Sequence, residues 1–299
     1  MTDNDYTPAG LIAMIRRVHS PRGRRLAGLY AIEGTRLIER ALRAGAALEA
    51  VLAAESFISS ADPRRHALRG ELAAAGCPIT VVADETVSEL TEGRDLGPIL
   101  GLVRFPPTMT LAELVATTDS QPPTTTNESP LLPFSPSPLP PCPPAPLLFL
   151  TALDIVDPGN AGALTRTAHA AGAAALLAVG TSDPFHPRAT RISRGSIFRL
   201  PVIHYPNAAE LLDDLHRCGV VAVGTTAAGG VPLPTFAWPA APVAVLMGNE
   251  AEGLPPAVAA ALDFAVTIPM AAGVDSYSVN AAAAIVCFAR QSAVRHGQE

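Results

Sequence analysis

Lysine is missing from this chain of 299 residues altogether, so all 21 of its permanent cations are arginines. A guanidinium stays protonated and presents a planar fork of donors, which leaves the chain rich in groups that fit phosphate and carboxylate. Cysteine is scarce as well. Cys77, Cys142, Cys218 and Cys287 form no Cys-x-x-Cys pair and have no histidine at metal spacing, which argues against a disulfide framework and against zinc. They read as small buried hydrophobes. The longest stretch without charge, Cys218 to Asn249, is broken by Gly224, Gly229, Gly230, Pro232, Pro234, Pro239 and Pro242, a pattern of strands and loops and not of a membrane span. The first residues include Asp3 and Asp5 and no apolar core ahead of a small-residue cleavage site, so no secretory signal is visible and a cytoplasmic protein is expected. Neither a Walker spacing nor a Gly-x-Gly-x-x-Gly spacing occurs in the glycine-containing islands described below, which removes support for phosphate-loop and dinucleotide readings.

The formal net charge of −6 argues against indiscriminate nucleic-acid binding, which draws on overall positive charge to release counterions. Two local patches remain. Arg16, Arg17, Arg22, Arg24 and Arg25 form one, and His186, Arg188, Arg191, Arg194 and Arg199 the other, with no acid inside either span. A solvated basic face and a phosphate contact are both open readings of each patch.

Three parts are expected along the chain: a small α/β domain over residues 1–106, a proline-rich linker or insertion over 107–146, and a larger α/β domain over 147–299. In the first, helical patterns at Leu11–Val18, Thr35–Ala44 and Pro63–Ala75 alternate with apolar runs at Leu29–Ile32, Leu48–Ala53, Ile79–Val82 and Ile99–Phe105. In the second, eight prolines between Pro133 and Pro146 remove donors and fix φ, so the segment is extended and semi-rigid at best. A ligand for a proline-recognition module is the alternative. The third alternates short apolar strands (Leu147–Leu153, Ala174–Val179, Val220–Gly224, Val243–Met247, Phe264–Ile268) with helices (Asn160–Ala171, Ala208–Arg217, Pro255–Ala261, Val279–Arg295). Such alternation predicts a parallel sheet covered on both faces, with ligands beyond the carboxyl ends of its strands.

Three short islands begin at those ends. Asp157-Pro-Gly-Asn160 breaks the chain after its strand and supplies helix caps. The helix that follows places Gly162 and Arg166 four residues apart, and an arginine on a helix otherwise poor in charge is a candidate fork for phosphate. The second island, Met247-Gly-Asn-Glu-Ala-Glu-Gly253, carries glycines that let a backbone approach a ligand closely, with Glu250 as an orienting acid. Ile268-Pro-Met270 through Ser276-Tyr-Ser-Val279 is the third: a strand end, a loop and a hydroxyl-rich helix start.

The order and spacing of these islands, together with Arg191-Ile-Ser-Arg-Gly-Ser-Ile-Phe-Arg-Leu-Pro-Val202, resemble the motifs of the SpoU/TrmH RNA ribose methyltransferases of the SPOUT superfamily over roughly residues 147–295. The first domain, through Gly28-Leu-Tyr-Ala-Ile-Glu-Gly-Thr-Arg36, is similar to the small RNA-binding domain often fused ahead of that catalytic domain. The resemblance implies a parallel α/β sheet ending in a deep trefoil knot, a topology that periodicity alone never yields. It also implies a homodimer, S-adenosyl-L-methionine as cofactor, no metal, and methyl transfer to a ribose 2′-hydroxyl of RNA, ribosomal ahead of transfer RNA. Carried over by position, Thr225, Gly248, Ile268, Met270 and Tyr277 would hold the cofactor, and Asn160, Arg166, Glu250 and Ser276 would form the catalytic surroundings. In that reading Arg166 clamps phosphate and developing oxyanion, Glu250 and Asn160 position it, and Ser276 helps bind cofactor or nucleotide. In the third motif, Tyr277 and Ser278 replace the family's usual Leu and Asn. That departure keeps open a catalytically impaired RNA-binding or ribosome-assembly protein of the same fold; a methyltransferase for small molecules is a second alternative, which predicts weak, salt-independent affinity for RNA.

Overall fold

The computed structural model describes residues 7–94, 96–118 and 146–296. By its contacts the chain divides into two compact units. The first takes residues 1–108 and, from the second half, 155–169 and 181–202; the remainder forms the second.

The first unit opens with helices α1 (Pro8–Val18) and α2 (Pro21–Ala27), each with proline in its first turn and a hydroxyl cap, from Thr7 and Ser20. There follow β1 (Leu29–Glu33), α3 (Thr35–Arg43), β2 (Leu48–Ala54), α4 (Glu55–Ile58), α5 (Pro63–Ala74), β3 (Ile79–Val82), α6 (Asp84–Leu90) and β4 (Ile99–Arg104). The sheet runs β1-β4-β2-β3, antiparallel except for the β2–β3 pair. Alternation along β1 sorts its residues between two cores. Leu29 and Ala31 join Leu11, Ile15 and Leu52 on one face, while Tyr30 and Ile32 join Ile38, Val51 and Leu68 on the other.

In the second unit come α7 (Leu111–Thr118) and β5 (Leu148–Leu153), after which the chain enters α8 (Pro158–Ala170), assigned to the first unit through His169, and returns as β6 (Ala175–Val179). It leaves again for α9 (Pro187–Ile192) and a turn of 3-10 helix at Ser196–Phe198, both assigned to the first unit. Then follow β7 (Val202–Tyr205), α10 (Ala208–Arg217), β8 (Val221–Thr226), β9 (Val231–Pro232), a 3-10 turn at Leu233–Thr235, β10 (Val243–Met247), α11 (Pro256–Ala260), β11 (Phe264–Thr267) and α12 (Val279–His296). Seven strands order as β7-β6-β5-β10-β8-β11-β9, and the pairs from β6 through β9 are parallel. The sheet's central strands β5 and β10 are buried at every position, Thr151 included, as near-continuous apolar runs require of a sheet covered on both faces.

Within the stretch expected as a linker, α7 forms because Leu111 and Leu114, three apart on one face, bury against Phe149 and Leu211. The prolines that carried that reading stand mostly in residues 119–145, outside the described residues. Among the described residues no helix is long and apolar enough to cross a membrane. Cys77 and Cys287 are free and buried, and burial, the first cause for both, raises their thiols to about 11 and about 12.

Candidate functional site

Three neighbouring strands of the second unit, β10, β8 and β11, end side by side, in the position where parallel sheets gather ligands. Thr225, the penultimate residue of β8, donates its hydroxyl to Leu246 O at 3.1 Å and lies in register with Val266. Thr226 and Thr267, one step on, share a hydroxyl contact of 3.2 Å. The structure therefore brings Thr225, Gly248 and Ile268 to one edge, since Gly248 directly follows β10 and Ile268 directly follows β11.

Beyond β10 the chain closes on itself. Asn249 and Gly253 exchange backbone hydrogen bonds of 3.0 and 2.9 Å. Gly248 lies so tightly on Gly253 that a Cβ there would stand 2.3 Å from the Gly253 carbonyl carbon, so the position excludes every side chain. The Asn249 side chain holds the loop from within. Its Oδ1 accepts from the amides of Ala251 and Glu252, and its Nδ2 donates to Asp154 O at 2.9 Å, at the end of β5. The motif resemblance assigns Asn249 no role. The signal available was the Asn after a Gly at a strand end, whose amide can mimic a turn. Glu250 sits exposed at the tip of this loop.

Ser276 and Tyr277 are also exposed, on the segment between β11 and α12, with Tyr277 43% accessible. Met270 is half-buried at the start of that segment. The last helix starts at Val279, where the sequence places it. Ser278 stands just before α12, its Oγ accepting from Ala281 N at 3.4 Å and its carbonyl from Ala282 N at 2.9 Å, so the residue found where the family has Asn serves here as a helix cap.

The first unit holds the other predicted residues. Asp157 stabilises the start of α8 by accepting from Gly159 N, and its carboxylate pairs with Arg188 Nη1 at 2.9 Å. Gly162 is buried against α9, where an added Cβ would lie 2.3 Å from Ala189 O. Arg166, four residues on, is exposed, and Asn160 is half-buried. The close approach on α8 thus occurs at Gly162.

Neither arginine patch is a simple solvated row. Arg24 is 2% exposed, pairs with Asp183 and donates to Val18 O and His19 O. In the second patch Arg188 is held by Asp157 and Arg191 by Glu33, leaving Arg194 and Arg199 with no carboxylate partner among the described residues. No cluster of metal-ligating side chains occurs among the described residues.

Comparison with known proteins adds three findings. Residues 148–288 match the SpoU rRNA Methylase family, and residues 11–97 match the MRM3-like substrate binding domain. A 23S rRNA (uridine(2479)-2'-O)-methyltransferase of Streptomyces viridochromogenes is 37% identical over 136 residues, covering 43% of this chain and 47% of that protein. The chain spans about half the length of the curated relatives it matches most strongly. A solved structure of an AdoMet-bound rRNA methyltransferase from Sinorhizobium meliloti aligns at 25% identity and a TM-score of 0.73, over 96% of this chain and 94% of that one. A solved RNA 2'-O ribose methyltransferase aligns at 28% identity and a TM-score of 0.69, over 96% of both chains.

Proposed function

We propose that this chain, which carries a SpoU methylase domain behind an MRM3-like substrate-binding domain, transfers a methyl group from S-adenosyl-L-methionine to a ribose 2′-hydroxyl of RNA, with ribosomal RNA ahead of transfer RNA. The reading rests above all on the whole-chain likeness to an AdoMet-bound rRNA methyltransferase. The residues present fit that cofactor: Thr225, Gly248 and Ile268 stand at the carboxyl ends of adjacent parallel strands, where such sheets bind ligands. Met270 and Tyr277 follow on the next segment and are assigned to the same group. When bound, the sulfonium supplies an already activated methyl group.

The chain's own task is then alignment and charge stabilisation. Arg166 cannot act as a base, because its guanidinium keeps its proton; it serves as a clamp on RNA phosphate and on the oxygen that gains negative charge. Asn160, on the same helix, orients it. Glu250 shares that positioning role, and Ser276 is assigned to binding cofactor or nucleotide. Eighteen of the 21 arginines but 15 of the 27 acids fall in the first unit, a surplus of positive charge that suits RNA despite the net charge of the chain. The active form in this reading is a cytoplasmic homodimer with a C-terminal trefoil knot, and Phe288, 70% exposed on α12, is offered as part of the subunit contact. Isothermal calorimetry with S-adenosyl-L-methionine tests the cofactor assignment. Binding in the micromolar range is expected, and its absence would leave an RNA-binding protein without transferase activity.

A further inference from the structure

We infer that the first unit carries a phosphate-binding strip, built from α3 and the turn after α9, that grips the RNA backbone away from the reacting ribose; this rests on the RNA reading above. Arg36, Arg40 and Arg43 fall at i, i+4 and i+7 on α3, one face of the helix. Like charges at that spacing repel by about 0.2–0.5 kcal/mol per pair; the acid among them, Glu39, gives both oxygens to Arg64 and adds only a longer-range attraction to Arg36 and Arg43. Arg36 and Arg43 are exposed, with no ion-pair partner among the described residues.

The row continues off the helix. Arg40 Nη1 donates to Arg194 O at 2.7 Å. Gly195, at φ +88°, lies against the Arg40 side chain so closely that a Cβ would stand 2.9 Å from Arg40 Cδ. Arg194 itself holds φ +54°, a conformation costly for a residue with a side chain, and its guanidinium is exposed. Ser196, next along this turn, contacts His169 Nδ1 of α8 at 3.1 Å. Arg199 stands near enough to His169 that its charge adds to burial, the larger cause, in opposing protonation of the ring. His169 is one turn from Arg166. A band of guanidinium groups without a salt-bridge partner among the described residues therefore runs from α3 across residues 194–199 to the exposed side of α8. Isolated solvated arginines would not need a bound backbone at Gly195 or a left-handed Arg194 to bring them together. A polyanion with regularly spaced charges is the partner that such a band fits.

The test uses the full chain and oligouridylate RNA, with affinity measured across salt concentrations for the wild type and for the triple variant Arg36→Gln, Arg43→Gln, Arg194→Gln. Each lost single-strand phosphate contact lowers the log–log salt slope by about 0.7, so the slope is expected to shrink by about 2 and the low-salt affinity to fall at least tenfold. Affinity for S-adenosyl-L-methionine stays at the wild-type value, and three lysines at the same positions restore the slope. Should the triple variant not fold, the three single variants each report a slope change of about 0.7. A wild-type slope and affinity in the variants overturns the strip, as does a wild-type protein that binds vesicles of anionic phospholipid but no RNA. A wild type that transfers no methyl group, yet shows the expected slope change, refutes the methyltransferase reading and leaves the strip standing.

Discussion

Glu33 and Arg191 meet at 2.7 Å, Oε2 to Nη1, although 158 residues separate them. The Glu33 carboxylate is fully buried, and its other oxygen accepts from Arg94 Nη2 at 3.2 Å. One carboxylate at the end of β1 thus holds the loop after α6 and the helix α9 together within the first unit. His19 and His186 line the same small cleft, of about 130 Å³.

Removing the carboxylate leaves two partly buried guanidinium groups without their shared anion. Loss of one partner from a buried ion pair costs about 3–5 kcal/mol, and the remaining access of Arg94 and Arg191 to solvent places Glu33→Ala at the lower end. Urea denaturation should show a fall of about 3 kcal/mol. A change below about 1 kcal/mol, the size of a surface pair, would show that the cluster is not structural.

Gly162→Ala tests the contact between α8 and α9. The added methyl meets a backbone carbonyl that cannot rotate away, so a loss of about 1–3 kcal/mol is expected from overpacking. Gly172→Ala serves as the control: nothing lies within 4 Å of its Cβ, and its φ of +63° alone should cost about 1 kcal/mol. Equal thermal shifts in the two variants would contradict the packing account.

Asn249→Ala removes the amide that closes the loop between Gly248 and Gly253 and ties it to Asp154. If that loop holds the cofactor, calorimetric affinity for S-adenosyl-L-methionine should drop about tenfold, about 1.4 kcal/mol, with RNA affinity unchanged. Undiminished cofactor affinity would detach the loop from the binding site.

Stability should also depend on pH in a definite direction. Burial is the first cause that lowers the proton affinity of His19, His169 and His186; Glu33 and Glu92 at His19, and Asp183 at His186, pull the other way less strongly. The unfolded chain therefore binds more protons near the ordinary histidine value of about 6.5, and stability rises with pH there. It is complete above that value and declines as pH falls below it, through the lowered folded-state range. The urea midpoint should be lower at the acidic end, and replacing the three histidines by glutamine should flatten the dependence. A midpoint that rises on acidification would reverse the assignment.

Much of this was legible in the residues. The mostly apolar runs of β5, β8, β10 and β11 stand out, and the second and third islands follow strand ends, so Gly248 and Ile268 are placed at one edge by the residues alone, whereas Thr225 comes only from the family resemblance. Several short elements were not legible, although β3, β11 and α11 were. Helix α2 has seven residues and α9 six, too few for a helical period to show above noise, and β7 has four residues with only two buried. Nor does periodicity reveal which distant charges pair. Arg24 and Arg191 read only as members of basic patches, solvated or phosphate-binding, because their partners, Asp183 and Glu33, lie outside the arginine-rich spans. Those pairs are also why residues 181–202 belong with the first unit, a division no local pattern announces.

The central claim is the position of the transferred methyl group, and one measurement reads it most directly. Ribosomal RNA is incubated with the protein and methyl-labelled S-adenosyl-L-methionine, then hydrolysed in alkali, which cannot cleave next to a methylated 2′-oxygen. The account predicts label in alkali-resistant dinucleotides, and a loss of about 100-fold or more in Arg166→Ala, the scale of removing a charge-stabilising donor. Label released in mononucleotides, or none incorporated at all, would contradict it.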